Sequence, residues 1–446
     1  MFIKEELDKF ERTHPKSKKL WQKAINVLPG GISHNIRTFG LTSIGGFPII
    51  INSSHGPFIE DIDNIKYLDF WNGHFAMILG HNPPEVQETV KNHLQYGWHF
   101  GTNTEYQIEL ASKLIDDNPS IEKVRFCTSG TEATMYATRL ARAYTNRKLV
   151  AKAVLGWHGA SDTLCYDVSG LINGKAPLGQ LKADEAGIIT FTINQKDSLE
   201  MIRKNSKQLA AIILEPILGG GGGFPVNTEF LKSLREETEK YGIVLIFDEV
   251  ITGYRFINSL FQNELKILPD LTTMGKIIGG GFPIGAIGGK EEIIERSSPQ
   301  NKNQVLIGGG TFSGYPLSMI AGLKTLEILK RSQQDYIRIN EEGSNLIKYL
   351  NDFFNLHKLP IVATGFKSII MLHIMSKWIQ NPSFSEIIEF TDERREALLQ
   401  LALFNRGISG LHGLGALSMA NTHKHILQVM NVMEEIAQPV SQSSLN

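Results

Sequence analysis

Cysteine is scarce in this chain of 446 residues, which has two, Cys127 and Cys165. Two cysteines cannot build a disulfide framework. With no apolar export signal in the charged, helix-like N-terminal stretch, they predict a reducing, cytoplasmic setting. Charge of one sign is lacking as well. Lys+Arg 45 against Asp+Glu 46 leaves a formal net charge of -1, without the skewed, clustered charge of a nucleic-acid or membrane-surface binder. No run approaches the roughly 20 apolar residues that span a bilayer. Repeats and low-complexity tracts are absent apart from short glycine runs. What remains, 42% hydrophobic and 20% charged, is ordinary globular composition, and the length predicts more than one domain.

The pattern along the chain is more informative. The N-terminal "MFIKEELDKFERTHPKSKKLWQKAINVL" reads as one helix ending at Pro29–Gly31. "FPIIINSSHGPFIEDIDNIKYLDFWNG" reads as short antiparallel strands broken by turns, and "PPEVQETVKNHLQYG" as an amphipathic helix with proline in its first turn. From about residue 105, short apolar runs alternate with helices: "KVRFC", "KLVAKAVL", "GIITFTI", "LAAIILEP" and "IVLIFDEV" are the strands. Continuous apolar strands separated by helices predict an α/β fold with a mostly parallel central sheet covered on both faces. "LIKYLNDFFNLHKL", "SIIMLHIM", "DERREALLQLALFNRG" and "HILQVMNVMEEIA" predict a smaller α+β domain. The expected boundaries are an N-terminal segment over 1–75, a large domain over 76–330 and a C-terminal domain over 331–446.

Ligands of parallel sheets sit at the carboxyl ends of the strands, so polar residues there are the candidates. Ser129, Gly130 and Thr131 in "FCTSGTEAT" follow one strand and open a helix, whose free N–H groups suit a phosphate; an ordinary N-cap explains the same residues. Trp157 and His158 in "LGWHGASD" offer an aromatic face, and a core tryptophan explains it equally. Glu215 and Asp248, with Glu249 a weaker alternative, end strongly apolar strands, where a carboxylate is costly unless paired. Lys276, in "TTMGKIIGGGFPIG", is a lone ammonium in an apolar, glycine-rich run. Burial disfavours its charge and frees the amine to attack a carbonyl; a lysine with a packed stem and a solvated head is the bland alternative. Together these are the requirements of pyridoxal 5′-phosphate (PLP): an amine for the aldehyde, an anion for the ring nitrogen, an aromatic for the ring face and helix N–H groups for the phosphate.

At these residues the chain resembles the class III, fold-type I PLP-dependent aminotransferases, most closely the glutamate-1-semialdehyde 2,1-aminomutase branch. The matching stretches include "PGGISHNIR", "MILGHNPPEV", "SGTEATMYATRLARAYTNR", "WHGASD", "LEPILG", "LIFDEVITGYRF", "PDLTTMGKIIGGGFPIGAIGG" and "GGGTFSGYPLSMIAG". The resemblance implies that Lys276 forms the Schiff base with the cofactor and Asp248 partners the pyridine nitrogen. It implies a phosphate cup of Ser129, Gly130 and Thr131, ring stacking by Trp157 beside His158, and Glu215 near the cofactor's reactive edge. Thr311 would reach the phosphate of a neighbouring subunit, so the resemblance implies a homodimer with shared active sites. Arg37 would bind a substrate carboxylate; a surface arginine is the other reading. No metal, nucleic acid or membrane enters the expectation.

The departures from the aminomutase pattern fall on the substrate side. Ser33–His34–Asn35–Ile36–Arg37 stands for Asn-Ser-Pro-Val-Arg, Gly73–His74 for a Ser-Trp pair, and Tyr315 for an asparagine. Gly219 to Gly223 replace residues that bear side chains, and "GLINGKAPLGQLKADEAG" lacks the gating-loop signature. The expectation is therefore an aminotransferase acting on a carboxylate-bearing amino donor and a carbonyl acceptor. Intramolecular amino transfer of the aminomutase type is the alternative, with a racemase or epimerase, or an inactive paralogue, behind it.

Overall fold

The order of apolar runs and breakers becomes a set of sheets in a computed structural model, which describes residues 1–168 and 177–443. Contacts divide the chain into two units, Met1–Pro83 with Ile337–Asn446, and Pro84–Tyr336.

In the first unit the expected N-terminal helix is two, Phe2–Thr13 and Pro15–Ala24. Pro15 has no N–H to continue the first helix and forces His14 out of helical geometry. The antiparallel strands are β1 (Ile51–His55), β2 (Phe58–Asp61) and β3 (Lys66–Asp69).

In the second unit, strands β4 (Lys123–Cys127), β5 (Leu149–Ala153), β6 (Ile188–Phe191), β7 (Leu209–Leu214), β10 (Val244–Asp248), β11 (Leu271–Gly275) and β12 (Gly285–Gly289) form one sheet in the order β4-β12-β11-β10-β7-β5-β6. A separate hairpin, β8 (Ile217–Leu218) and β9 (Phe224–Pro225), carries the glycine run at its turn. Every residue of β7, β10 and β11 is buried. Ile213, Ile246 and Leu271 pack there with Ala133, Ala137 and Leu140 of the helix Gly130–Thr145. Each large aliphatic side chain so buried is worth roughly 1.5–3 kcal/mol.

The pairs β6–β5, β5–β7, β7–β10 and β10–β11 are parallel, whereas β12 runs antiparallel to both β11 and β4. No strand was expected at "GAIGG", because glycine is a poor strand former. Its glycines serve close packing. A Cβ on Gly285 would lie 2.1 Å from the Ser129 carbonyl oxygen, so only glycine lets β12 run beneath the loop that opens the helix.

The C-terminal part of the first unit adds β13 (Ile361–Phe366), β14 (Ile369–Ile374), β15 (Ile408–Ser409) and β16 (Gly415–Ala416). β15 extends the N-terminal strands beside β3, while β13, β14 and β16 form their own sheet. Helices Glu393–Phe404 and His423–Gln442 pack Leu399, Leu403, Val429 and Met433 into this unit's core with Phe10, Phe47 and Tyr67. N-terminal and C-terminal residues thus share one small α+β unit. Among the described residues no helix is long and apolar enough to cross a membrane.

The helix Pro316–Arg331 abuts the turn that follows Lys276, and a Cβ on its Gly322 would sit 2.1 Å from the Ile278 carbonyl oxygen. In an open helix Gly→Ala stabilises by about 1 kcal/mol. Here Gly322→Ala is expected to destabilise by roughly 1–3 kcal/mol through overpacking against a fixed backbone, read as a lower midpoint in urea unfolding of the cofactor-free protein.

Candidate active site

Parallel strands in register deliver their ends together. β7, β10 and β11 are neighbours in the sheet, and the residues just past or at their ends are Glu215, Asp248 and Lys276. All three line one cavity of about 170 Å³, together with Ser129, Gly130, Thr131, Trp157 and His158.

Asp248 is buried and held by three donors. Its Oδ1 accepts from Thr273 Oγ1 at 2.9 Å and from the Val250 N–H at 3.1 Å, and its Oδ2 meets His158 Nδ1 at 2.7 Å. A carboxylate can only accept, so Nδ1 carries the proton and His158 is the donor. Burial lowers the pKa of His158 although Asp248 opposes this, which favours the neutral ring. Gly156 makes room for the ring: a Cβ there would lie 2.8 Å from His158 Nε2.

Glu215 accepts from the Trp157 N–H and the Gly219 N–H, each at 3.0 Å. Burial, reinforced by the Asp248 charge, pushes its pKa up to about 8. Lys276 is half-buried in the cavity wall, and desolvation lowers its pKa against the pull of Asp248 and Glu215. Its backbone lies in the left-handed region at φ 49, a conformation that costs a non-glycine residue roughly 1–3 kcal/mol. Strain of this kind persists where surrounding structure over-determines it, as the β11 end and the Gly279–Gly281 turn do. At Gly280, φ is 58 and a Cβ would come 2.4 Å from the Ala321 carbonyl oxygen.

The other end of the cavity is the N-terminus of the helix Gly130–Thr145. Ser129 is its N-cap, its hydroxyl accepting from the Glu132 N–H at 3.2 Å. Gly159, at φ 83, packs so closely on Thr131 that a Cβ would meet Thr131 Oγ1 at 2.4 Å. The backbone closes tightly around a spot that offers first-turn N–H groups and hydroxyls, the donor set for a phosphate.

With this geometry in hand, the comparisons are direct. A family model described as Aminotransferase class-III matches residues 42–360. The glutamate-1-semialdehyde 2,1-aminomutase of Thermoplasma volcanium is 39% identical over 366 residues, covering 80% of this chain and 85% of that protein. The enzyme of that name from Sulfurisphaera tokodaii is 35% identical, covering 87% and 92%. Among solved structures, an omega-transaminase from Sphaerobacter thermophilus superposes with a TM-score of 0.85 at 30% identity, covering 95% of this chain and 97% of that one. A beta-phenylalanine aminotransferase from Variovorax paradoxus gives 0.87 at 25% identity, covering 98% and 97%. This chain belongs to the class III aminotransferase family. Its fold is that of the fold-type I PLP transferases.

The residues present fit the cofactor of such a protein. The buried amine, the anion relayed to His158, the half-exposed Trp157 and the helix N-terminus share one cavity, as PLP requires. Glu249 does not take part: it accepts from the Phe261 and Gln262 N–H groups and from Thr252 Oγ1, and so organises the segment after β10. The N-cap explanation for Ser129 and the phosphate explanation describe the same residue and are compatible.

Two expected residues are not among those that line the cavity. Thr311 is exposed in the segment before the helix Pro316–Arg331. Arg37 lies in the first unit, where it acts on His34, whose pKa is lowered by burial and then by the Arg37 charge. The His34 ring lies 5.3 Å from that of His74, which in turn lies 4.3 Å from Trp71. His74 is presented by an unusual turn. Asn72, Gly73, His74 and Phe75 are successively left-handed, at φ 48, 56, 60 and 68, although L-residues adopt this region singly rather than in runs. The Asn72 side chain anchors the turn by donating to the Ala416 carbonyl at 2.7 Å. Of the sequence "GLINGKAPLGQLKADEAG", residues 170–176 lie outside those described. Sequence reasoning missed Thr273 and Thr134 near the site and Lys152 behind it, since nothing local marks a threonine or a mid-strand lysine as a partner of a strand-end group.

The Glu215 carboxyl provides a pH test. Its folded pKa stands above the ordinary 4.5, so the folded protein binds the proton more tightly than the unfolded chain. Glu215 therefore costs stability increasingly as pH rises from about 5 to about 8, and by a constant amount above that. Glu215→Gln, which mimics the protonated form, is expected to make the cofactor-free protein more stable than the parent at pH 8.5. The gap should shrink toward pH 5 when urea midpoints are compared.

Proposed function

We propose that this protein is a PLP-dependent aminotransferase that moves an amino group between a carboxylate-bearing amino donor and a carbonyl acceptor. The cofactor is pyridoxal 5′-phosphate. The observation that carries the reading is Lys276, half-buried, strained and depressed in pKa between the carboxyl groups of Asp248 and Glu215. When bound, PLP supplies an electrophilic aldehyde and an electron-withdrawing ring that acidifies the carbon bearing the substrate amino group. Lys276 Nζ, whose proton burial makes easier to lose, would be the group that bonds to the aldehyde. Once free, the amine would remove the proton from that carbon and deliver it to the cofactor's former aldehyde carbon, the shift that amino transfer requires. Asp248, oriented by His158 and Thr273, would partner the ring nitrogen. Ser129, Gly130 and Thr131 would hold the phosphate, and Trp157 would offer its face to the ring.

Arg37 binds the substrate carboxylate. The assembly is a homodimer in which Thr311 serves the neighbouring subunit's phosphate. In support, Leu94, Tyr96, Trp98, Phe100, Ile108, Leu306 and Phe312 are exposed in two stretches joined by the His99–Phe312 ring contact at 5.0 Å. A large exposed apolar patch of this kind marks an association surface.

A second reading, intramolecular transfer on glutamate-1-semialdehyde, is favoured by the names of the curated relatives. Gly73–His74 and the Gly219–Gly223 run favour transfer between molecules, because these residues depart from the aminomutase pattern on the substrate side alone.

The deciding experiment offers single amino donors to the PLP-loaded protein and follows its visible absorbance, with Lys276→Ala as the inert control. Donor-dependent bleaching, reversed by a carbonyl acceptor, is the expected result. Turnover of glutamate-1-semialdehyde with no acceptor present would replace this reading with the aminomutase one. Arg37→Ala is expected to lower kcat/KM for carboxylate donors by roughly ten- to a hundredfold, as loss of a charged hydrogen bond does. Neutral amines should change little, which parallel assays with the two donor classes would check.

A further inference from the structure

Behind the cavity, on the same sheet, lies a lysine that is completely buried. Lys152 lies in the middle of β5, paired with Ile213 of β7 and Thr190 of β6. A lysine is almost never fully buried unless it is paired. Its Nζ donates to the Tyr166 carbonyl oxygen. Burial pulls its pKa down to about 8 against the attraction of Asp167, Glu215 and Cys165.

The place of that bond in the chain gives it meaning. β5 leads into a loop, residues 155–167, that leaves the sheet with Trp157 and His158 and returns at Tyr166 and Asp167. Both ends are strained, with Leu155 at φ 64 and Asp167 at φ 44. They are tied to each other by the Leu155 N–H donating to the Asp167 carbonyl at 2.7 Å. The outgoing half is held to the site: Trp157 donates its N–H to Glu215, Thr134 Oγ1 donates to the His158 carbonyl at 2.6 Å, and His158 donates to Asp248. The returning half is held to the sheet by Lys152, and by Thr190 Oγ1 donating to Asp167 Oδ2 at 2.6 Å. Without a fixed exit, a short loop with two left-handed non-glycine ends would relax, and Trp157 and His158 would move with it.

We propose that Lys152 is a positioning residue of this active site, clamping shut the exit of the loop that sets Trp157 against the cofactor ring and His158 against Asp248. The proposal rests on the reading that the cavity binds PLP. It assigns Lys152 no contact with cofactor or substrate. Its cation instead secures a buried carbonyl at the base of the loop, a bond of the charged class.

The test compares the wild-type protein with Lys152→Met, which keeps the length of the stem and removes the donor. Three readouts are taken: equilibrium PLP affinity, induced circular dichroism of the cofactor at saturation, and amide hydrogen exchange of the cofactor-free protein. The expected result is affinity weaker by roughly tenfold or more. Dichroism per bound cofactor should fall, because Trp157 no longer holds the ring in one orientation, and exchange should rise within 155–167 while β10 and β11 stay protected. Affinity within about twofold of wild type with unchanged dichroism would overturn the proposal. So would exchange rising equally through β5, β7 and β10, which marks general loss of stability. If Lys152→Met does not fold, Thr190→Val releases the same exit from its other tie. It should move the three readouts the same way by a smaller factor, and no movement would overturn the proposal. Failure of the wild-type protein to bind PLP would strike the functional reading itself, a result distinct from any of these.

Discussion

Two carboxyl groups and one amine buried at the ends of three adjacent strands are the constraint on which the large unit depends. Glu215, Asp248 and Lys276 share a cavity in which ionisation is expensive, and burial moves the pKa of Glu215 up and that of Lys276 down. Asp248 takes three donors. Glu215 keeps its proton into the neutral range, and Lys276 gives its proton up more readily than a surface lysine. The same burial that makes the trio costly makes the amine nucleophilic, and the strained backbone at Lys276 is one more local cost that the surrounding sheet supports.

The shell around the trio exists to hold this arrangement. Thr273 sits beside Asp248 because β10 and β11 pair in parallel register. The His158 ring is seated by Gly156 and aimed by Asp248, while Trp157 owes its place to the bond its backbone N–H donates to the Glu215 carboxyl. Gly285, Gly280 and Gly159 recur at points where two backbones approach within a distance that no Cβ would allow. Glycine in this protein therefore marks contact more than flexibility, and the glycine-rich neighbourhood of Lys276 is a packing solution for a strand end pressed between a helix and a loop.

Much of this was legible beforehand. The apolar strands of the second unit, the helix after "FCTSG" and the polar groups at strand ends follow from hydrophobic period and from the price of burying charge. Asp248 and Lys276 stood out because each interrupts an apolar run in which an ionisable group needs a reason. Other features had no local signal. β12 is a strand in spite of its composition, since its glycines answer to the Ser129 backbone far away in the chain. The break at Pro15 was visible as a residue type yet read through, because the charged pattern continues on both sides of it. The left-handed turn 72–75 is stabilised by Ala416, more than three hundred residues distant, which no window of sequence contains.

By itself the sequence determined the chemistry available: an isolated lysine, strand-end carboxyl groups, a capped helix start and an aromatic, in an order that resembles one family. Those are properties of residue type and of periods of two and 3.6, which act over a few positions. Only the tertiary structure decided which groups meet. Sheet order brought the ends of β7, β10 and β11 side by side, Asp248 rather than Glu249 was turned into the cavity and met by His158, and Lys152 was placed against the Tyr166 carbonyl. Such pairings depend on register between strands distant in sequence, where a shift of one residue would turn each side chain to the opposite face.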